Sequence, residues 1–242
     1  MARGFSRIGT GIMAAVVLVA AALAAPAAAP AQDLELGAWT GRSVSSQVTT
    51  NFFLCAGSDC GEGVSQIGPE RNAWTFGLNG RLHVVGPFSL RLGASLAFKG
   101  WGSDAGKRVD SRYLEFPVLV QVRLLRNGRA SLHLAAGVAP SILIGCRYSS
   151  YPLRNGIREY ESIPCNEPNW LGVPYGPAVK NDVGWVVAPA FRWQTDVGGL
   201  WIEPSYTHGR VNIRPDANGF TTNRYFALRV GLTRSVGRAR RP

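Results

Sequence analysis

Two runs of alternating residues meet at an Asn-Gly pair between Tyr113 and Val138, and they constrain the fold more than any other feature. Leu114, Phe116, Val118, Val120, Val122 and Leu124 share one parity and carry no charge. Glu115, Gln121 and Arg123 share the other, with Pro117 and Leu119. Beyond the pair, Leu132, Leu134, Ala136 and Val138 alternate with Ser131, His133, Ala135 and Gly137. A period of two marks a strand with unlike faces, and Asn-Gly is a strong hairpin former. The segment reads as a β-hairpin with one oily face.

The rhythm repeats along the chain. Strands are expected at 33–43, 72–85, 88–100, 112–125, 129–145, 182–195, 199–209 and 223–236. Short connections follow the second, fourth and sixth: Gly86-Pro87, Arg126-Asn127-Gly128 and Asp196-Val197-Gly198, all rich in turn formers. Longer ones follow the first, third, fifth and seventh. Strict alternation puts tight turns at one end and excursions at the other. The expected class is all-β, an eight-stranded antiparallel up-and-down transmembrane β-barrel with short periplasmic turns and long outer loops.

A soluble carrier barrel alternates as well, with its oily face inward. Three features point the other way. The apolar parity stays free of charge through Trp74, Phe76 and Leu78, then Leu90, Leu92 and Leu96, then Val183, Trp185 and Val187. The opposite parity gathers charges of both signs: Glu35, Arg81, Arg91, Lys99, Glu115, Arg123, Arg192, Glu203 and Arg229. Gly77, Gly93, Ala135 and Ala188 share that parity, and a narrow lumen needs such small residues so that long ion-paired side chains can cross it. Finally, Trp74, Phe76, Phe98, Phe116, Trp185, Tyr206 and Phe226 lie near the loop-bearing ends, with Phe191 and Trp193 near the tight turns. That is the distribution of two interfacial girdles. The oily parity is expected to face lipid, where an open sheet edge is not tolerated. Pro117, Pro140, Pro189 and Pro204 resist this reading, because each removes a ladder donor; bulges or rims would accommodate them.

The N-terminus carries Arg3 and Arg7, an uncharged run from Ile12 to Ala25, and a small-x-small site at Ala29-Pro30-Ala31. Residues 1–31 read as a cleaved secretory signal, 32–236 as the barrel and 237–242 as a basic tail. The leader holds two of the 26 basic residues and none of the 15 acidic ones, so the mature chain stays strongly basic. An exported basic chain excludes nucleic acid as the natural partner and favours outer-membrane lipid and lipopolysaccharide. The bias is concentrated at the tight-turn end and tail, in Arg126, Arg129, Arg234, Arg238, Arg240 and Arg241. Export also makes Cys55, Cys60, Cys146 and Cys165 disulfide candidates, paired within their loops as Cys55–Cys60 and Cys146–Cys165. Neither pair has the neighbouring histidine or C-x-x-C spacing of a metal site, and no cofactor is expected.

The stretches "YLEFPVLVQVRL" (Tyr113–Leu124), "LHLAAGVAPSILI" (Leu132–Ile144), "WIEPSYTHGRVNI" (Trp201–Ile213) and "RYFALRVGLTRSV" (Arg224–Val236) resemble small outer-membrane β-barrel proteins of the porin-like, PorT-type family. The resemblance implies a barrel and accepts a proline at Pro117; it describes architecture more than chemistry. Barrels of this kind end in an aromatic residue, whereas Val236 holds that place here.

Chemistry is sparse. A lipid A-modifying barrel needs a nucleophile and a histidine on one face, but Ser205 and His208 are three apart, hence on opposite faces of a strand. A diffusion channel needs a wider ring, because eight strands leave room for side chains alone. The remaining expectation is a non-enzymatic, monomeric anchor. It presents outer loops for a cell-surface ligand through Tyr148, Tyr151, Arg154, Arg158, Tyr160, Trp170 and Tyr175.

Overall fold

A computed structural model of the chain describes residues 34–51, 63–102, 108–150, 153–154, 157–158, 161–165, 179–211, 213 and 219–236. The leader, the basic tail and the Cys55–Cys60 pair lie outside the described residues. The strands are β1 (Leu34–Asn51), β2 (Gly63–Val85), β3 (Phe88–Gly102), β4 (Arg108–Glu115), β5 (Val118–Asn127) and β6 (Ala130–Ser150). They continue with β7 (Leu153–Arg154), β8 (Ile157–Arg158), β9 (Glu161–Pro164), β10 (Asn181–Gln194), β11 (Gly199–Gly209) and β12 (Gly219–Val236).

Consecutive long strands pair antiparallel except β4 with β5, β1 pairs with β12, and β6 pairs with β10. β4 and β5 together form one wall between β3 and β6. The result is a closed ring of eight strands. Closure leaves no unpaired edge in the ring, which is the property a strand-built membrane crossing requires. Among the described residues no helix is long and apolar enough to cross a membrane, which says nothing of crossing by strands.

The turns follow from residue chemistry. Gly86 and Gly128 adopt φ of 56° and 54°, a region that glycine enters without steric cost. The turn expected at Arg126–Gly128 lies one step later, because Asn127 still pairs with Ala130 across Gly128-Arg129. The strands also run past their expected ends on the loop side: β1 reaches Asn51, β2 starts at Gly63 and β6 continues to Ser150. There the hydrophobic alternation fades into Ser45, Ser46 and Gln47 while backbone pairing persists. Periodicity reports contrast between faces, so it stops where both faces turn polar.

The prolines are placed in opposition. Extending the β10–β11 register through its gap sets Pro189 against Pro204, so two missing donors coincide at one interruption. Pro117 lies in the break between β4 and β5, where Phe116 N–H donates to Pro140 O at 2.8 Å and Gly93 N–H donates to Pro117 O at 3.0 Å. Clustering confines the lost bonds to two places in the wall.

β12 displays the polarity most clearly. Tyr225, Ala227, Arg229, Gly231 and Thr233 are buried, while Arg224, Phe226, Leu228, Val230, Leu232 and Arg234 are exposed. Phe76, Trp185 and Val120 are about half exposed or more, at 50%, 55% and 59%, whereas Glu203 is at 0% and Glu115 at 2%. The outside of this ring is apolar, and its inside is charged.

Candidate functional site

The lumen is the candidate site, and alternation on the strands builds it in three tiers. Nearest the tight turns, Glu35 and Arg81 are direct cross-strand partners on β1 and β2. One Glu35 oxygen accepts from Arg81 Nη2 and from Arg192 Nη1, both at 2.6 Å. Arg81 and Arg91 also stand opposite each other, an arrangement that repels. It is tolerable because the two guanidiniums take different carboxylates.

In the middle tier, Arg91 crosses the lumen to grip both oxygens of Glu203, with Nη2 at 3.1 Å from Oε1. Arg229 reaches the same carboxylate at 3.5 Å and lies over the Trp39 ring at 4.5 Å. In the upper tier, Lys99 Nζ is 2.7 Å from Glu115 and 3.9 Å from Asp182, with the Tyr113 ring 4.8 Å away. Asn223 Nδ2 donates to Asp182 at 3.0 Å, and Gln47 donates to Asn223 at 3.4 Å. Buried charges persist only when paired, and each of these charged side chains has an opposite charge within 4.0 Å.

Glycines make the room. A Cβ on Gly77 would sit 2.5 Å from the Trp39 indole, and one on Gly231 would sit 2.6 Å from the Trp201 ring. Each tryptophan therefore covers a bare stretch of neighbouring strand. Leu119, Ala135, Ala139, Val186 and Ala188 form an apolar cluster inside the wall of β5, β6 and β10. Two voids among these side chains measure about 30 and 10 Å³, room for water and little more.

Of the nine lumen charges read from sequence, eight enter this network. Arg123 does not: it is only half-buried and has no ion pair with a described carboxylate. It stands opposite His133 next to the β5–β6 bulge, near the tight-turn rim. Asp182, Trp39 and Trp201 were missed, although parity with Arg192, Glu35 and Glu203 respectively would have found them. A second missed pair, Arg71 with Asp110, lies nearer the loop end, where Arg108 Nε also meets Asp110 at 2.7 Å.

At the loop-bearing end, Cys146 and Cys165 form a disulfide. Tyr148 packs with Val109 and Cys165 and is buried, so its ring presents no open face to a ligand. The side chains of Arg154 and Arg158, and all of Tyr151, Tyr160, Trp170 and Tyr175, lie outside the described residues. Ser205 is buried in the lumen and donates to Ala227 O at 3.4 Å, while His208 lies on the outer parity, so the two do not meet. Among the described residues no group of three or more metal-ligating side chains gathers.

No family model matches the chain, and a search of curated proteins returns no match. Solved structures do match. The attachment invasion locus protein Ail of Yersinia pestis aligns over 83% of this chain and 98% of its own, at 13% identity and a TM-score of 0.39. The outer membrane protease OmpT from Escherichia coli aligns over 84% and 97%, at 12% identity and a TM-score of 0.47. The outer membrane protein AlkL, solved in lipid bilayers, aligns over 89% and 96%, at 11% identity and a TM-score of 0.41. Each is a likeness of overall architecture.

Proposed function

We propose that this chain is an outer-membrane β-barrel of a Gram-negative-type bacterium, exported through the general secretory route. In this reading it is a monomeric, non-enzymatic anchor that presents outer loops, and its filled lumen supports the anchor role over a channel. The PorT-type resemblance of Tyr113–Leu124 and its companion stretches belongs to the same reading. The observation that carries it is inverted polarity on a closed ring: exposed Phe, Trp, Leu and Val outside, ion-paired Arg, Lys and Glu inside. Water would reverse that arrangement.

The dimensions agree. On β12 the outward residues between Arg224 and Arg234 are all apolar. Ten residue steps at roughly 3.3 Å, tilted by about 40°, span about 25 Å, the height of an outer-membrane apolar band. Arg42, Arg112 and Arg224 are exposed at its loop-ward border, and Arg126 and Arg234 at the other. They are positioned to meet the phosphates of lipopolysaccharide and anionic phospholipid. The Arg42 guanidinium lies 5.1 Å from the Trp74 ring, a pairing suited to an interface.

The three tiers fill the interior, so the barrel anchors and does not conduct. Cell fractionation with detergent extraction, heat-modifiable migration on gels and silence in planar bilayers are the expected results. Recovery in the soluble periplasmic fraction would overturn the placement. Stable conductance would overturn the closed lumen. A mass change in lipid A on expression would overturn the non-enzymatic reading.

A further inference from the structure

Three arginines converge on one small void, and the charge around it does not balance. Toward the tight-turn end of the lumen, a cavity of about 30 Å³ is lined by Asn79, Arg81, Arg91, His133, Arg192 and Trp201, among others. Among the described residues, Arg81 and Arg192 share Glu35, and Arg91 and Arg229 share Glu203. Four guanidinium groups thus answer to two carboxylates. The upper tier has the opposite sense, with Lys99 facing both Glu115 and Asp182.

One acceptor on the lining, Asn79 Oδ1, lacks a donor, and turning that amide would present its Nδ2 instead; two donors there, the Trp201 indole N–H and Arg192 Nε, lack an acceptor. Both side chains are more than nine-tenths buried, each residue being 6% exposed. Both atoms can only donate, so each needs an electron-rich partner. A buried donor without one is costly, and so is buried charge without compensation.

We infer that this cavity is a binding site for a monatomic anion of halide size, held by Arg81, Arg91 and Arg192 and accepting from the Trp201 indole. A water molecule would accept from the donors but leave the excess positive charge in place. An anion answers both deficits at once. The volume admits one or two water-sized spheres, which is room for chloride or bromide. Access is from the tight-turn end, where the Arg81 side chain keeps 17% of its surface exposed.

The test uses the mature barrel, refolded in detergent and unfolded in sodium chloride or bromide against sodium gluconate at matched ionic strength. Halide is expected to stabilise the barrel with saturation. At a hundred times the half-saturating concentration, the folded-to-unfolded ratio rises about a hundredfold. Trp201→Phe keeps a ring over Gly231 but removes the N–H, and the half-saturating concentration should rise about tenfold, the loss of one charge-assisted hydrogen bond. Crystals grown in bromide should give an anomalous difference peak in the cavity, which decides the matter even if the variant does not fold. Equal stability in halide and gluconate, or no bromide peak between Arg91 and Arg192, would overturn the site.

Discussion

Thr75 and Phe76 are covalent neighbours on β2, yet they occupy different solvents. Thr75 is fully buried and donates its hydroxyl to the Leu96 carbonyl at 2.9 Å, while Phe76 stands half exposed on the outer wall. The same division recurs at every step of β12 from Asn223 to Arg234. Inside, specificity comes from directed bonds between a few long side chains, each answerable to a named partner. Outside, one apolar residue serves nearly as well as another, provided that none is charged. The two faces should therefore respond to substitution in opposite ways.

The largest effect is expected inside. Glu203→Gln strands Arg91 and Arg229 in a buried site, at a cost of about 3–5 kcal/mol, read as a lower urea midpoint for the refolded barrel. Phe76→Leu on the outer face should cost far less in the same assay. Next comes Val230→Arg, an exposed position roughly midway between Arg224 and Arg234. In a bilayer it should destabilise by about 2–4 kcal/mol. A soluble barrel would accept that arginine with almost no change, so this variant separates the two polarities by itself.

A smaller loss should follow Cys146→Ser, which opens a loop of 19-residue separation at the rim. About 2–3 kcal/mol is expected, and the difference from the native chain should vanish in reductant. The smallest belongs to Arg129→Ala. Its pair with Asp196 is 3.5 Å long, with 65% and 82% of the side chains exposed, so the change should stay within about 0.5 kcal/mol. Equal responses to Glu203→Gln and Arg129→Ala would dissolve the distinction between a bonded interior and a solvated rim.

Much of this was legible in the chain because it depends on local chemistry. Turn residues marked the hairpins of the eight-stranded ring, though not the break between β4 and β5 or the short β7 to β9, and parity put Glu35 with Arg81 and Glu203 with Arg229 on the inner face. Their pairing then follows from register. The Arg91–Glu203 bond was not legible, because it joins residues 112 apart across the lumen. Trp39 and Trp201 were overlooked because aromatic residues in such a barrel suggest its girdles. Parity outranks residue type here, and the facing glycines make space for the rings. The Tyr148 ring was read as a recognition surface, but a bulge between Arg112 and Tyr113 shifts the register of β6 below it. No periodicity in one strand reveals a bulge defined by its neighbour.

The polarity of the wall can be tested with light. Trp185 is 55% exposed on the outer face, and Trp201 is 6% exposed on the inner one. In bilayers containing brominated acyl chains, Trp185→Phe should remove a quenchable component of the fluorescence, and Trp201→Phe should remove an unquenched one. The reverse assignment, with Trp201 quenched by lipid and Trp185 shielded, would contradict the account at its root.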